Sequence, residues 1–127
     1  MAYVILITVL ILLQYQYFAY MVGAARGKYN VQAPATTGDD QFERVYRVQM
    51  NTLEQLVTLL PAMWLCAVYF RTDVAAILGA AFFVGRLIYS RAYKSDPSSR
   101  GNGMLIGFAA NVLLIFCCVY AGIALFF

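Results

Sequence analysis

Residues 1–25 read MAYVILITVLILLQYQYFAYMVGAA, and none of these side chains is charged. About 20 apolar residues in a helix suffice to cross the hydrocarbon core of a bilayer. A signal peptide would open with basic residues and end a shorter apolar run at a small-residue cleavage site. Here the basic residues, Arg26 and Lys28, follow the run. The stretch therefore predicts a retained membrane helix over residues 1–26. Gly27 is the expected stop, with Arg26 at the negative end of the helix dipole.

The other end of the chain repeats the pattern. Residues 101–127, GNGMLIGFAANVLLIFCCVYAGIALFF, are likewise uncharged and predict a helix over 102–127. Between the two lie shorter uncharged runs at 55–70 and 74–85. Extended to their nearest breakers, they predict helices at 41–70 and 73–94. The first would be about 45 Å long at the α-helical rise and would protrude from the bilayer. Thr37-Gly38-Asp39-Asp40 supplies capping side chains and negative charge at its start. Thr72-Asp73 does the same for the third helix after a tight turn. Pro61, inside the second helix, should kink it or be accommodated by packing. The fold class is an all-α integral membrane protein, a single four-transmembrane-helix bundle over residues 1–127.

Composition agrees and excludes other classes. Of 127 residues, 63% are hydrophobic and 12% charged, against about 45–50% and about 25% in soluble domains. A soluble domain this small has too much surface for its interior to hide such a sequence. Disorder, a nucleic-acid-binding tail and a disulfide-stapled secreted module are excluded on the same grounds. There is no histidine, so Ser-His or Cys-His catalysis and His-based metal sites are excluded. Cys66, Cys117 and Cys118 lie in apolar runs without metal-ligand or disulfide spacing, and they read as packed thiols. No metal is expected.

Four crossings put loops 26–40 and 94–102 on one face, and both termini with the Arg71-Thr72-Asp73 turn on the other. All but one of the nine Lys and Arg residues lie towards the loop face, Arg71 being the exception. The positive-inside rule then makes both loops cytoplasmic.

Polar residues that continue into the spans need a reason. Glu43, Arg47, Asn51 and Glu54 follow steps of about one helical turn and share a face. Gln55 is adjacent to that face and Gln49 is off it. Arg86, Tyr89 and Tyr93 share a face of the third helix. Arg26 closes the first helix and Arg100 precedes the fourth. In a structural reading, Glu43–Arg47 and Glu54–Arg86 are ion pairs between or along helices. Arg91, Lys94 and Arg100 then meet anionic lipid head groups. In a ligand-site reading, Arg26, Arg47, Arg86 and Arg100 converge with only Glu43 and Glu54 to balance them. Ionisable groups at membrane depth cost about 2.5–3.5 kcal/mol each and usually mark function. The excess positive field suits a small peptide-like anion, since guanidinium forks match carboxylates. Asn51 and Glu54 could take its amide and ammonium groups.

The segment FERVYRVQMNTLE (42–54) after Thr36-Thr37-Gly38 resembles a known family, the membrane-associated proteins in eicosanoid and glutathione metabolism (MAPEG). The family form is an arginine followed by glutamine, asparagine and glutamate at Gln49, Asn51 and Glu54. VGRLIY (84–89), Tyr93 and SDPSSRG (95–101) resemble its second signature. The resemblance spans nearly the whole chain. It implies a homotrimer that binds glutathione as co-substrate between neighbouring subunits, near the cytosolic interface. It also implies that Arg47, Gln49, Asn51 and Glu54 bind glutathione, with Tyr89 and Tyr93 from the third helix and Arg26 from the first. Arg100 stands where the catalytic branches carry the arginine that activates the glutathione sulfur. Arg86 corresponds to a third-helix arginine of structural or binding role. Leukotriene-synthesising members carry tyrosine where this chain has Gln55, and the Asp96-Pro97 loop and Asn30-Val31 resemble the microsomal glutathione transferase branch.

The expected activity is that of a glutathione S-transferase, with glutathione peroxidase or leukotriene-synthase-like chemistry as variants. Arg100, with Arg26 as the second candidate, would hold glutathione as the thiolate. The thiolate would attack a lipophilic electrophile dissolved in membrane lipid, or reduce a lipid hydroperoxide. A bacterial inner membrane or the endoplasmic reticulum would house it, and no nucleic acid is involved. Two rivals remain open. One is a non-catalytic lipid-binding scaffold of the lipoxygenase-activating type, against which Arg100 argues. The other is a small multidrug transporter using Glu54, against which the surplus of arginines around that acid argues.

Overall fold

The computed structural model describes residues 1–99 and 101–127. Four helices run up and down in chain order: α1 over Ala2–Tyr29, α2 over Asp40–Tyr69, α3 over Thr72–Ser95 and α4 over Gly101–Ala124. A short 3-10 turn, Pro97–Ser99, joins the last two. All four helices are long and apolar enough to cross a membrane, and there is no strand among the described residues. Arg100 lies outside the described residues.

The helix ends follow local chemistry. α1 does not stop at Gly27. It continues to Asn30, which takes the left-handed conformation (φ 59°, ψ 45°), and the amide of Val31 then donates to the Arg26 carbonyl at 3.1 Å. Asparagine tolerates that conformation better than most residues, whereas Gly27 can stay helical at modest cost. Asp39 caps α2 as expected, its carboxylate accepting from the Phe42 amide at 3.0 Å. α3 begins one residue before its expected start, with Arg71 as the flanking residue and Asp73 supplying negative charge to the first turn. Pro61 leaves α2 continuous, its outward-facing ring needing no room in the core. α4 ends at Ala124, three residues short of the expected 127, where turn bonds such as Phe126 N–H to Ile123 O take over.

Ile11, Leu59, Met63, Phe82 and Leu114 fill the centre of the bundle. Leu6, Leu13, Val57, Ile77 and Phe116 point outward, as lipid-facing residues do. Lipid tails are as apolar as leucine, so close packing and interhelical hydrogen bonds, rather than water exclusion, hold such helices together. Gln14 Nε2 donates to the Phe83 carbonyl at 3.0 Å, and Trp64 Nε1 to Thr8 Oγ1 at 3.2 Å.

The closest approach is between α3 and α4. A Cβ on Gly103 would lie 2.7 Å from the Gly85 carbonyl oxygen and would also strike the backbone of Tyr89. A Cβ on Gly85 would meet Gly107 N at 3.0 Å. Three glycines thus bring the first turns of α4 onto the backbone beside Arg86 and Tyr89. That contact positions the site.

Candidate functional site

The ladder on α2 is present as a physical surface. Arg47 Nη1 lies 3.3 Å from Glu54 Oε1, and Asn51 sits between them on the same face. Both side chains are about half exposed, at 49% and 52%. Such a pair contributes only about 0–1 kcal/mol, so a ligand with a carboxylate and an ammonium group could replace it at little cost.

Two cavities meet this ladder. The first, about 320 Å³, is polar; Glu43, Arg44, Arg47 and Tyr93 line it with Thr36 and Asp40. The second, about 430 Å³, has walls of Met104, Leu105 and Phe108 from α4, and its polar end is Asn51, Gln55 and Arg86. Adjacent turns of one helix face therefore serve a charged hollow and an apolar one.

Arg86 is 1% exposed. Its Nη2 donates to Thr52 Oγ1 at 2.9 Å, and the Thr52 hydroxyl donates on to the Val48 carbonyl at 2.7 Å. The guanidinium lies 4.0 Å from the centre of the Tyr89 ring, a cation–π contact that is strongest away from water. Tyr89 in turn stacks on Tyr93, with ring centres 5.5 Å apart. The expected Glu54–Arg86 pair is not formed. Thr52 points inward and Glu54 outward, being about 200° apart around α2 at 3.6 residues per turn. No carboxylate partner of Arg86 and no partner of its buried Nε occur among the described residues.

Arg26 is placed differently. Its guanidinium donates to the Ala35 carbonyl at 2.7 Å and the Val31 carbonyl at 3.4 Å, and it lies over the Phe42 ring at 4.8 Å. Within one chain it clamps loop 30–39 and lines neither cavity. Gln49 is half-buried and also lines neither. Arg44 pairs with Asp40 at 3.0 Å and donates to the Lys94 and Ser95 carbonyls, both at 3.3 Å. It thus satisfies carbonyls that the end of α3 leaves without helical partners. After it, the amide and hydroxyl of Ser98 donate to Asp96 and hold its carboxyl below the ordinary carboxylate range. This turn leads to Arg100, the residue expected to activate sulfur, which lies outside the described residues.

Sequence reasoning missed Thr52 and the α4 wall. A threonine one turn after Val48 gives no sign that a buried arginine will find it. The glycines at 103 and 107 were the available signal, since their spacing marks a close helix contact. Asn111 of α4 bridges to α2: its Nδ2 donates to Gln55 Oε1 at 3.0 Å and to the Gln55 carbonyl at 3.2 Å.

Together these features define a class: a four-helix membrane protein with a zwitterion-matching ladder beside an apolar cavity. Residues 4–120 match the MAPEG family. The chain belongs to that family and is an integral membrane protein. An uncharacterized protein of Synechocystis sp. is 46% identical over 110 residues, 87% of this chain and 80% of that protein. Human microsomal glutathione S-transferase 2 is 35% identical over 108 residues, covering 85% and 74%. Rat leukotriene C4 synthase is 33% identical over 118 residues, covering 86% and 79%.

Proposed function

We propose that this protein is a glutathione transferase acting within the membrane, and that it works as a homotrimer with the sites at subunit boundaries. The observation that carries this reading is the half-exposed Arg47–Glu54 pair flanking Asn51, at the border between a polar and an apolar cavity. Glutathione is a peptide with two carboxylates and one ammonium group. Arg47 suits a carboxylate, Glu54 the ammonium, and Asn51 a peptide group. Tyr89 and Tyr93 from α3 and Gln49 from α2 complete the binding set. Arg26 of one subunit would serve the site of its neighbour. The names of the relatives, microsomal glutathione S-transferase 2 and leukotriene C4 synthase, support glutathione chemistry at this site.

A free thiol with a pKa of about 8.5 is mostly protonated at neutral pH, and a fixed cation lowers that value. Arg100, which precedes α4 in the sequence, is the cation that the resemblance assigns to the sulfur, and the N-terminus of α4 would add partial positive charge. The thiolate attacks an electrophile held in the apolar cavity, or reduces a lipid hydroperoxide there. The transporter alternative is disfavoured because Glu54 is engaged by Arg47 rather than open to a cationic drug.

Calorimetric titration with glutathione tests the reading. Millimolar glutathione should give saturable binding to the desalted protein. Arg47→Ala should weaken it by about 1.5–3 kcal/mol, the range for hydrogen bonds to charged groups. Absence of binding in the wild type would refute the site.

A further inference from the structure

The apolar cavity contains a fixed hydrogen-bond donor that the binding of glutathione does not explain. Asn111 is 4% exposed on α4, and its amide orientation is determined by a neighbour that can only accept, the main-chain carbonyl of Gln55. The Asn111 Nδ2 group spends one hydrogen there and the other on Gln55 Oε1, at 3.0 Å. With one lone pair of its oxygen occupied in this way, the Gln55 side chain keeps both N–H groups of its amide to donate. Gln55 lines the cavity beside Arg86, whose charge has no carboxylate partner among the described residues and whose Nε is buried without a partner. The opposite walls, Met104, Leu105 and Phe108, are apolar and partly open at the surface of the chain. The cavity therefore asks for a molecule with an alkyl body and an accepting oxygen at one end.

Resting on the transferase reading above, we infer that Gln55, held in register by Asn111, is a specificity-determining donor for co-substrates that are α,β-unsaturated aldehydes or ketones of membrane lipid origin. The sulfur of glutathione thiolate forms a bond to the β-carbon. The carbon–carbon π pair moves to give an enolate, and its negative oxygen receives hydrogen bonds from Gln55 Nε2 and the Arg86 guanidinium. A proton from water then adds to the α-carbon, balancing the one lost when the thiol ionised. Donors aimed at an oxygen that becomes charged in the transition state favour this reaction over displacement on an alkyl halide, which develops no such oxygen. Asn111 acts only through Gln55 and is a positioning residue.

The test compares kcat/KM for an unsaturated alkyl aldehyde with that for an alkyl iodide of equal chain length, in detergent at saturating glutathione. In Gln55→Leu the aldehyde-to-iodide ratio should fall by about 10²-fold, the scale for one lost oxyanion donor. In Asn111→Leu it should fall by about tenfold, since Gln55 is still present but no longer oriented. A merely structural role would lower both substrates together, and an unchanged ratio in the folded variants overturns the inference. A second measurement needs no variant. The infrared carbonyl stretch of an unreactive saturated ketone should move to lower frequency in the wild-type protein with glutathione, relative to detergent alone. An unshifted band for the bound ketone also overturns it. A wild-type protein that conjugates neither substrate refutes the transferase reading itself, and this inference with it. Conjugation of both with no selective loss in the variants refutes this inference alone.

Discussion

Arg86 shows how a single residue reconciles charge with a nearly dry interior. Its guanidinium is held by a threonine hydroxyl and an aromatic face rather than by a carboxylate. Thr52→Val keeps the volume but removes the acceptor, leaving Nη2 without its partner. Chemical unfolding in mixed micelles should register a loss of about 1–3 kcal/mol, the range for orphaning a buried polar group. A loss within error of zero would mean that water or lipid satisfies the arginine. Arg100 is the residue on which the proposed chemistry turns. Arg100→Ala should lower turnover of a test electrophile by about 10²-fold or more while reducing glutathione affinity much less. The sign of its pH effect follows from the charge. A cation stabilises thiolate, so removing it raises the pKa of bound glutathione, and the midpoint of thiolate absorbance must move to higher pH. If turnover and midpoint both stay as in the wild type, the activating cation has to be sought at Arg26.

At the scale of elements, the decisive contact is α3 against α4. Gly103 leaves no room for a methyl group, because its neighbours there are backbone atoms of Gly85 and Tyr89 that cannot swing aside. Gly103→Ala should push α4 away from α3 and destabilise the bundle by about 1–3 kcal/mol, as overpacking does. Gly23→Ala is the matched control, since a Cβ there meets nothing within 4 Å. It should be neutral or stabilising by about 0.5–1 kcal/mol, the helix preference of alanine over glycine. Equal melting temperatures for the two variants would show that the glycine contact is not tight. The same displacement should also reduce activity, because Arg86 of α3 and the start of α4 both line the apolar cavity. Arg44 and Asp39 work at this scale too. One ties the start of α2 to the end of α3, and the other caps α2.

For the whole molecule, the prediction is topology. Basic residues gather at the end of the bundle that carries the α1–α2 and α3–α4 connections, and Arg71 lies at the other. The positive-inside rule then puts both connections in the cytoplasm and both termini across the membrane. Single cysteines introduced at Lys28 and Arg71, in a background free of native thiols, should be labelled by an impermeant reagent from opposite sides of sealed vesicles. Equal protection of the two positions would overturn the arrangement.

The chain's own pattern was enough to determine the number of helices, their membrane character and the ladder face. Uncharged runs of bilayer length leave the backbone no alternative to a helix in lipid. The spacing of Arg47, Asn51 and Glu54 follows from helical geometry alone. Asp39 as a cap was equally legible, because capping is a contact between residues three apart. What needed the tertiary structure was every choice among partners distant in the chain. Sequence placed Glu54 opposite Arg86, but rotation of α2 about its axis turns Thr52 inward and pairs Glu54 with Arg47 instead. It offered Arg44 no partner, and the approach of α2 to the end of α3 gives it carbonyls to bind. The apolar cavity and the Asn111–Gln55 clasp between α4 and α2 likewise join residues far apart in the chain, and Gly85 and Gly103 let α4 approach α3 closely beside them. Periodicity defines a helix's faces, but only packing in three dimensions decides what each face meets.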